Sequence, residues 1–250
     1  MWALITGASS GIGRSLAYLL ASRGYNLILV ARRKKRLVDI KDSVDVDVKV
    51  FDMDISTTFN CHKLYNKVKD MDIDVVINAA GFGLIGDFCN TSLDRELDMV
   101  DLNVKSLHTL TKLFLNDFVK KDRGYILNVA SIAAFQPGPL MATYYASKSY
   151  VYNLTIAINH ELKVSKSNVY VGVLCPGPVD TEFNKVADVT FNLKSHSSDY
   201  VALYALRKMF KKKKLIIPGF RIKIGYLSAK FMPLNFVLKY IYSVQEKKHK

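Results

Sequence analysis

The sequence predicts an α/β fold: one three-layer α/β/α domain on a doubly wound parallel sheet, with a short helical C-terminal extension. Three observations carry that expectation. Short apolar runs alternate with amphipathic stretches from the first residue onward, the pattern of repeated βαβ units with right-handed crossovers. Several runs are continuous, as in LILVA at 27 to 31, and continuous runs belong to strands buried on both faces of a parallel sheet. The glycine-rich TGASSGIG, Thr6 to Gly13, stands where the first run meets the first amphipathic stretch. That is the place of the phosphate-binding turn in a Rossmann-type sheet.

The elements follow in order. The apolar run of MWALITG stops at Gly7 and has no basic leader, so Trp2 to Thr6 reads as the first strand and not as a signal peptide. A helix from Ile12 to Arg23 ends at Gly24, the residue type suited to the C′ position. A strand at Leu27 to Ala31, a helix at Arg33 to Lys41 and a strand at Val46 to Phe51 come next. Helix Thr58 to Lys69 leads to strand Val75 to Asn78, then to helices at Ser92 to Asp101 and Val104 to Lys121. The fifth strand, Tyr125 to Ala130, is closed by Ser131 and followed by a long helix, Ala142 to Val164. The last strands are Val169 to Leu174 and Leu215 to Ile217, with a helix at Asp199 to Phe210 between them. Beyond Phe220, a mixed aromatic, aliphatic and lysine segment is divided by Pro233 into two short helices. Their broad apolar face is expected to pack over a substrate pocket or a second subunit, or to lie on a bilayer. No repeat or linker divides residues 1–250, a length that one α/β domain accommodates.

Half of the residues are hydrophobic and no long polar tract interrupts them, which excludes a disordered chain. Cys61, Cys89 and Cys175 are odd in number, widely spaced and without CxxC or CxxH pairs. This argues against a disulfide framework or a zinc site and for a reducing, cytoplasmic setting. The five histidines show no ligand spacing, so no metal is expected. Trp2 and the cysteines read as core or near-core filler. No uncharged apolar run reaches the length of a spanning helix. The net charge is +14, and residues 201–250 hold 13 Lys or Arg against the single acid Glu246. The run Lys211 to Lys214 reads either as a solvated helix end or as a peripheral contact for a membrane surface or polyanion. No nucleic-acid partner is expected.

TGASSGIG has a direct physical reading. Gly7 and Gly11 let the backbone turn tightly and approach a pyrophosphate, Gly13 lets the helix pack near the strand, and the helix N-terminus offers N–H groups and a positive dipole end. The end of the second strand decides which dinucleotide is preferred. Where an acid would bind the ribose 2′-hydroxyl of NAD, this chain has Ala31, Arg32 and Arg33. Arginine grips a 2′-phosphate in bidentate fashion, so NADP(H) is expected over NAD(H). Arg32 is the first candidate, Arg33 the second and Arg14 a helper. Asp54, just beyond the third strand, is placed to accept a hydrogen bond from the adenine amino group.

One further pattern needs context. Tyr144 and Lys148 in YYASK stand four apart and share a helix face, but so do Tyr65/Lys69, Tyr204/Lys208 and Tyr226/Lys230. The surroundings separate them. TGASSGIG, INAAG (Ile77 to Gly81), LNV (Leu102 to Val104), Ser131, YYASK and CPGPVDT (Cys175 to Thr181) occur in an order that resembles the short-chain dehydrogenases/reductases, in their short single-domain branch. The resemblance runs from Met1 to about Gly219, with NAAG where NNAG is usual. In that family a serine precedes the catalytic tyrosine by 13 residues, as Ser131 precedes Tyr144.

The resemblance implies a hydride transfer between NADP(H) and a carbonyl or secondary alcohol. Tyr144 would be the general acid/base, and a neighbouring ammonium, that of Lys148, would lower its pKa from about 10. Lys148 would also bind the nicotinamide ribose, Ser131 would orient the substrate oxygen, and Asn103, at the head of a helix, would hold a water in a proton relay. Cofactor contacts are implied at Thr6, Ser9, Ser10 and Ile12 beside the three glycines, and at Asn78, Ala79 and Gly81. Pro176, Gly177, Val179 and Thr181 would complete them, with Thr181 reaching the carboxamide. Phe183 to Ser198 would form a substrate lid. Phe82, Phe135, Met141 and Phe183 suggest an apolar or lipid-like substrate, and packing alone also explains them. A homodimer or homotetramer through the Ala142 to Val164 helix is expected. The rival readings are a dinucleotide-binding regulator without turnover and a basic membrane-surface or nucleic-acid module.

Overall fold

A computed structural model describes residues 1–182, 195–229 and 231–249. Nine strands run in chain order: β1 Trp2–Thr6, β2 Asn26–Ala31, β3 Val48–Asp52, β4 Ile73–Asn78, β5 Tyr125–Val129, β6 Tyr170–Leu174, β7 Val179–Asp180, β8 His196–Ser197 and β9 Leu215–Ile216. Seven form one parallel sheet in the order β3-β2-β1-β4-β5-β6-β9, and β7 pairs with β8 in a small second sheet. The order reverses direction between β1 and β4, which opens the crevice at the C-terminal sheet edge where doubly wound folds take ligands.

Side chains of adjacent strand residues point to opposite faces, and both faces are covered. Ile5, Leu29 and Val75 pack beneath α1 (Gly11–Ala21) and α7 (Ser198–Met209), while Leu4, Ile28 and Val76 pack beneath α3 (Thr58–Val68) and α5 (Leu107–Lys120). All six residues of β4, IDVVIN, are buried, as a strand covered on both faces requires. The remaining helices are α2 (Lys34–Lys41), α4 (Leu93–Val100), α6 (Ala142–Val164), α8 (Phe220–Ala229) and α9 (Leu234–His249). Gly24, at φ +79°, closes α1 in a Schellman turn: Tyr25 N–H donates to Leu20 O at 3.1 Å and Gly24 N–H to Ala21 O at 2.8 Å.

Most elements match the sequence reading within a residue or two, the usual uncertainty of element ends. Two differ in kind. The short β7/β8 pair had no pattern to announce it. The two helices expected at Ser92 to Asp101 and Val104 to Lys121 are one continuous path through a π-turn, Asp101–Ser106. Ser106 Oγ donates to Asp101 O at 2.9 Å, and the widened turn swings Asn103 fully inside. Asn103 therefore lies within a helix and not at its head. Cys89 is exposed while Cys61 and Cys175 are buried, so only two of the three cysteines fill the core.

One packing point is testable alone. A Cβ at Gly172 in β6 would lie 1.8 Å from the Oη of Tyr170, a buried side chain whose hydroxyl donates to Lys213 O. Gly172→Ala should cost about 1–3 kcal/mol of stability through overpacking, read as a lower denaturant midpoint with unchanged slope.

Candidate active site

The β1 turn is built by close approach. Gly7 and Gly11 have φ of +66° and +52°, a region that other residues enter only with strain. A Cβ on Gly7 would meet the Ala79 and Ala80 backbone at 2.8 to 2.9 Å, and one on Gly13 would lie 2.4 Å from Gly7 O. Thr6 Oγ1 accepts from the N–H groups of Ala79 and Ala80 at 3.1 and 3.2 Å, which ties the end of β4 to β1. Ser10 makes no side-chain cap to α1, and no acid stands in its first turn. The positive end of α1 thus faces the crevice.

At the end of β2, Arg33 folds over this turn. Its Nη2 donates to Ser9 Oγ at 3.0 Å and Ser10 Oγ at 2.8 Å, and its Nη1 donates to Glu182 at 2.6 Å. Arg36 donates to the same Glu182 carboxylate at 2.7 Å. Those two guanidiniums, Arg36 foremost, hold the Glu182 carboxyl down to about 2. Arg32 lines the cavity but is mostly exposed, 3.9 Å from Asp54. Arg14 lies over the Tyr18 ring, away from this group. The pair gathered on an anion is therefore Arg33 and Arg36, although Arg32 ranked first on sequence.

Across the crevice, Ser131 stands two residues beyond β5 in extended conformation, its Oγ accepting from Ala133 N–H at 3.2 Å. Tyr144 sits in the first turn of α6 and is hydrogen-bonded to Ser131. One turn on, Lys148 Nζ lies 5.8 Å from the Tyr144 ring centroid and donates to Val129 O at 3.1 Å. Both residues are buried. Burial pushes the Tyr144 phenol up, and the Ser131 hydrogen bond only partly opposes it. The same burial brings the Lys148 ammonium down to about 8. The sequence expectation of a lowered tyrosine is not met, because loss of solvent around the phenolate outweighs the Ser131 hydrogen bond.

Asn103 positions this cluster. Its Nδ2 donates to Phe82 O at 2.9 Å and Ser147 Oγ at 3.2 Å, and its Oδ1 accepts from Phe82 N–H. A Cβ on Gly81 would lie 2.7 Å from that Oδ1 and 3.4 Å from Lys148 Nζ.

A cavity of about 410 Å³ joins the two halves. Of the residues expected at the cofactor, Ser9, Ser10, Ile12, Ala79, Gly81, Asp54, Pro176, Gly177, Val179 and Thr181 line it with the glycines. Thr6 and Asn78 stand behind it. Asn78 donates to Thr111 Oγ1 and Asn128 Oδ1 in a buried network that joins β4, α5 and β5. The far wall is Phe82, Met141, Tyr145 and Gln245. Phe135 instead packs on Tyr152 and Tyr226, and Phe183, with most of the expected lid, lies outside the described residues. Tyr65, Tyr204 and Tyr226 lie off the cavity; Tyr65 is hydrogen-bonded to Asp117. Sequence reasoning missed Arg36, Glu182, Tyr145 and Gln245. Glu182 meets arginines 149 and 146 positions away, and no local spacing encodes such pairs.

A glycine turn at the switch point and a Ser-Tyr-Lys group on the same sheet edge define an oxidoreductase of the dinucleotide-binding type. Residues 1–190 match the family model for short chain dehydrogenase. The chain is 31% identical over 188 residues to an uncharacterized oxidoreductase of Staphylococcus epidermidis, covering 74% of this chain and 81% of that one. It is 27% identical over 248 residues to very-long-chain 3-oxoacyl-CoA reductase-B of Danio rerio, covering 96% and 78%. The solved structure of a short-chain dehydrogenase from Sphingobium yanoikuyae in complex with NADPH superposes with a TM-score of 0.83 at 29% identity, over 91% of both chains. The chain belongs to the short-chain dehydrogenase/reductase family.

Proposed function

We propose that the chain is an NADP(H)-dependent carbonyl reductase, or alcohol dehydrogenase in reverse, acting on an apolar or lipid-like substrate. One observation carries this reading: a buried Tyr144 hydrogen-bonded to Ser131 at the end of a cavity that begins in a glycine-rich turn. The cradle fits the dinucleotide, because Gly7, Gly11 and Gly13 line the cavity beside a helix N-terminus with no side-chain cap and no acid in its first turn. The donor set fits a 2′-phosphate, because Arg33 and Arg36 already converge on an anionic group. Glu182 would have to yield that position.

The bound nicotinamide would supply or accept the hydride. Ser131 would hold the substrate oxygen beside the Tyr144 hydroxyl, and Tyr144 would give its proton to that oxygen as charge develops there. A phenol kept protonated by burial is suited to the reducing direction. Lys148 would hold the ribose, its ammonium offsetting the negative charge left on Tyr144 when the proton is given up, and Asn103 would keep Phe82 and α6 in place around it. The far wall, apolar at Phe82 and Met141, supports an apolar substrate, and so does the similarity to a reductase of very-long-chain acyl groups. The exposed side of α6, where Tyr150 is hydrogen-bonded to His108, is the surface on which a homodimer or homotetramer would form.

Calorimetric titration tests the cofactor half. NADPH should bind at least about tenfold more tightly than NADH, and Arg33→Ala should remove most of that preference, since a charge-assisted pair is worth about 1.5–3 kcal/mol. Equal binding of both nucleotides by the native chain would overturn the assignment.

A further inference from the structure

Helix α9 carries two unlike faces. Val237, Ile241 and Gln245, spaced by four, are buried, and Gln245 reaches the cavity wall, where its Nε2 donates to Tyr145 Oη at 2.7 Å. Phe236 and Tyr240, on the other face, are 57% and 65% exposed, with Lys239 exposed beside them. At the Pro233 turn Phe231 is 89% exposed, and Leu234 is exposed as well. Among the described residues, eight of the seventeen exposed large apolar side chains fall between 220 and 242. Scattered exposed apolar residues need no explanation, but a cluster marks a contact surface. A helix apolar on both faces is one that is covered on both.

Charge selects what covers it. Residues 220–242 contain Arg221, Lys223, Lys230 and Lys239 and no acid. A two-fold contact between copies would set this surface against itself and bring like charges together. Aromatic and aliphatic side chains interleaved with lysine suit the headgroup boundary of an anionic bilayer. Among the described residues no helix is long and apolar enough to cross a membrane, so the contact would be peripheral. The run Lys211 to Lys214 takes no part: it leads into the start of β9, at the sheet edge opposite the cavity. We propose that the outward face of α8 and α9 docks on an anionic lipid surface, while the inward face of α9 walls the cavity.

Flotation of the full chain with phosphatidylcholine vesicles, with and without phosphatidylglycerol, tests this independently of any catalytic reading. The native chain should float with the anionic vesicles, less so as salt rises. Phe231→Glu/Phe236→Glu should lower the bound fraction about tenfold or more, with an unchanged thermal unfolding curve. Equal flotation of variant and native chain, or none with anionic vesicles, would overturn the proposal. So would a native dimer that the substitutions convert to monomer without any vesicle binding, which would assign the face to a second copy.

Discussion

Tyr144→Phe should lower kcat by about 10²–10⁴-fold, the usual contribution of a positioned acid/base. Nucleotide affinity and thermal stability should stay close to those of the native chain. The phenyl ring fills the same space in the first turn of α6, and the hydroxyl removed is one whose ionisation burial already opposes. The substitution deletes the transferable proton and little else. A Tyr144→Phe chain that turned over carbonyl substrates at the native rate would point to a different acid, and unchanged cellular function in the absence of turnover would favour a dinucleotide-binding regulator. Ser131→Ala should act in the same direction but more weakly, since it removes the orienting hydrogen bond and leaves the proton.

Lys148→Met should abolish most activity and at the same time stabilise the fold. Its ammonium is brought from the ordinary 10.5 down to about 8 by burial, so the folded chain holds this proton less tightly than the unfolded one. Between about pH 8 and 10.5 the unfolded chain carries a proton that the folded chain has lost, and stability rises with pH across that window. Below about 8 the full cost of the buried charge is present, on the order of 3 kcal/mol. Methionine removes the charge at similar length, and the lost donor to Val129 O returns part of the gain. A net gain of about 1–3 kcal/mol should raise the melting midpoint at pH 7 by roughly 2–10 °C. The difference from the native chain should shrink as pH is raised from 8 to 10.5. A variant less stable than the native chain at pH 7, with a gap insensitive to pH, would show that Lys148 is held as a structural ion rather than at a cost. A functional lysine kept in place at the expense of stability is what an active site requires.

Much of the molecule was legible in its residues because the relevant physics is local. Continuous apolar runs mark strands with two covered faces, the glycines at 7, 11 and 13 mark a turn that no side chain fits, and four-residue spacing puts Tyr144 and Lys148 on one helix face. Gly24 ends one helix and Pro233 stands immediately before another, both for reasons internal to the backbone. The sheet, its layers and the edge that carries the site follow from such rules together with the handedness of the crossovers.

What the tertiary structure alone decided involves partners far apart in the chain or the degree of burial. Glu182 joins Arg33, one of the two arginines that strand position suggested, to Arg36, which it did not. Gln245 reaches Tyr145 across 100 residues and makes the C-terminal helix part of the cavity. Asn103 is drawn into a π-turn, because a widened helical turn depends on what must be buried and not on the residues of the turn alone. The direction of the Tyr144 shift has the same origin: proximity to a lysine can be read from spacing, but the loss of water that raises the phenol exists only once the fold has closed around the ring.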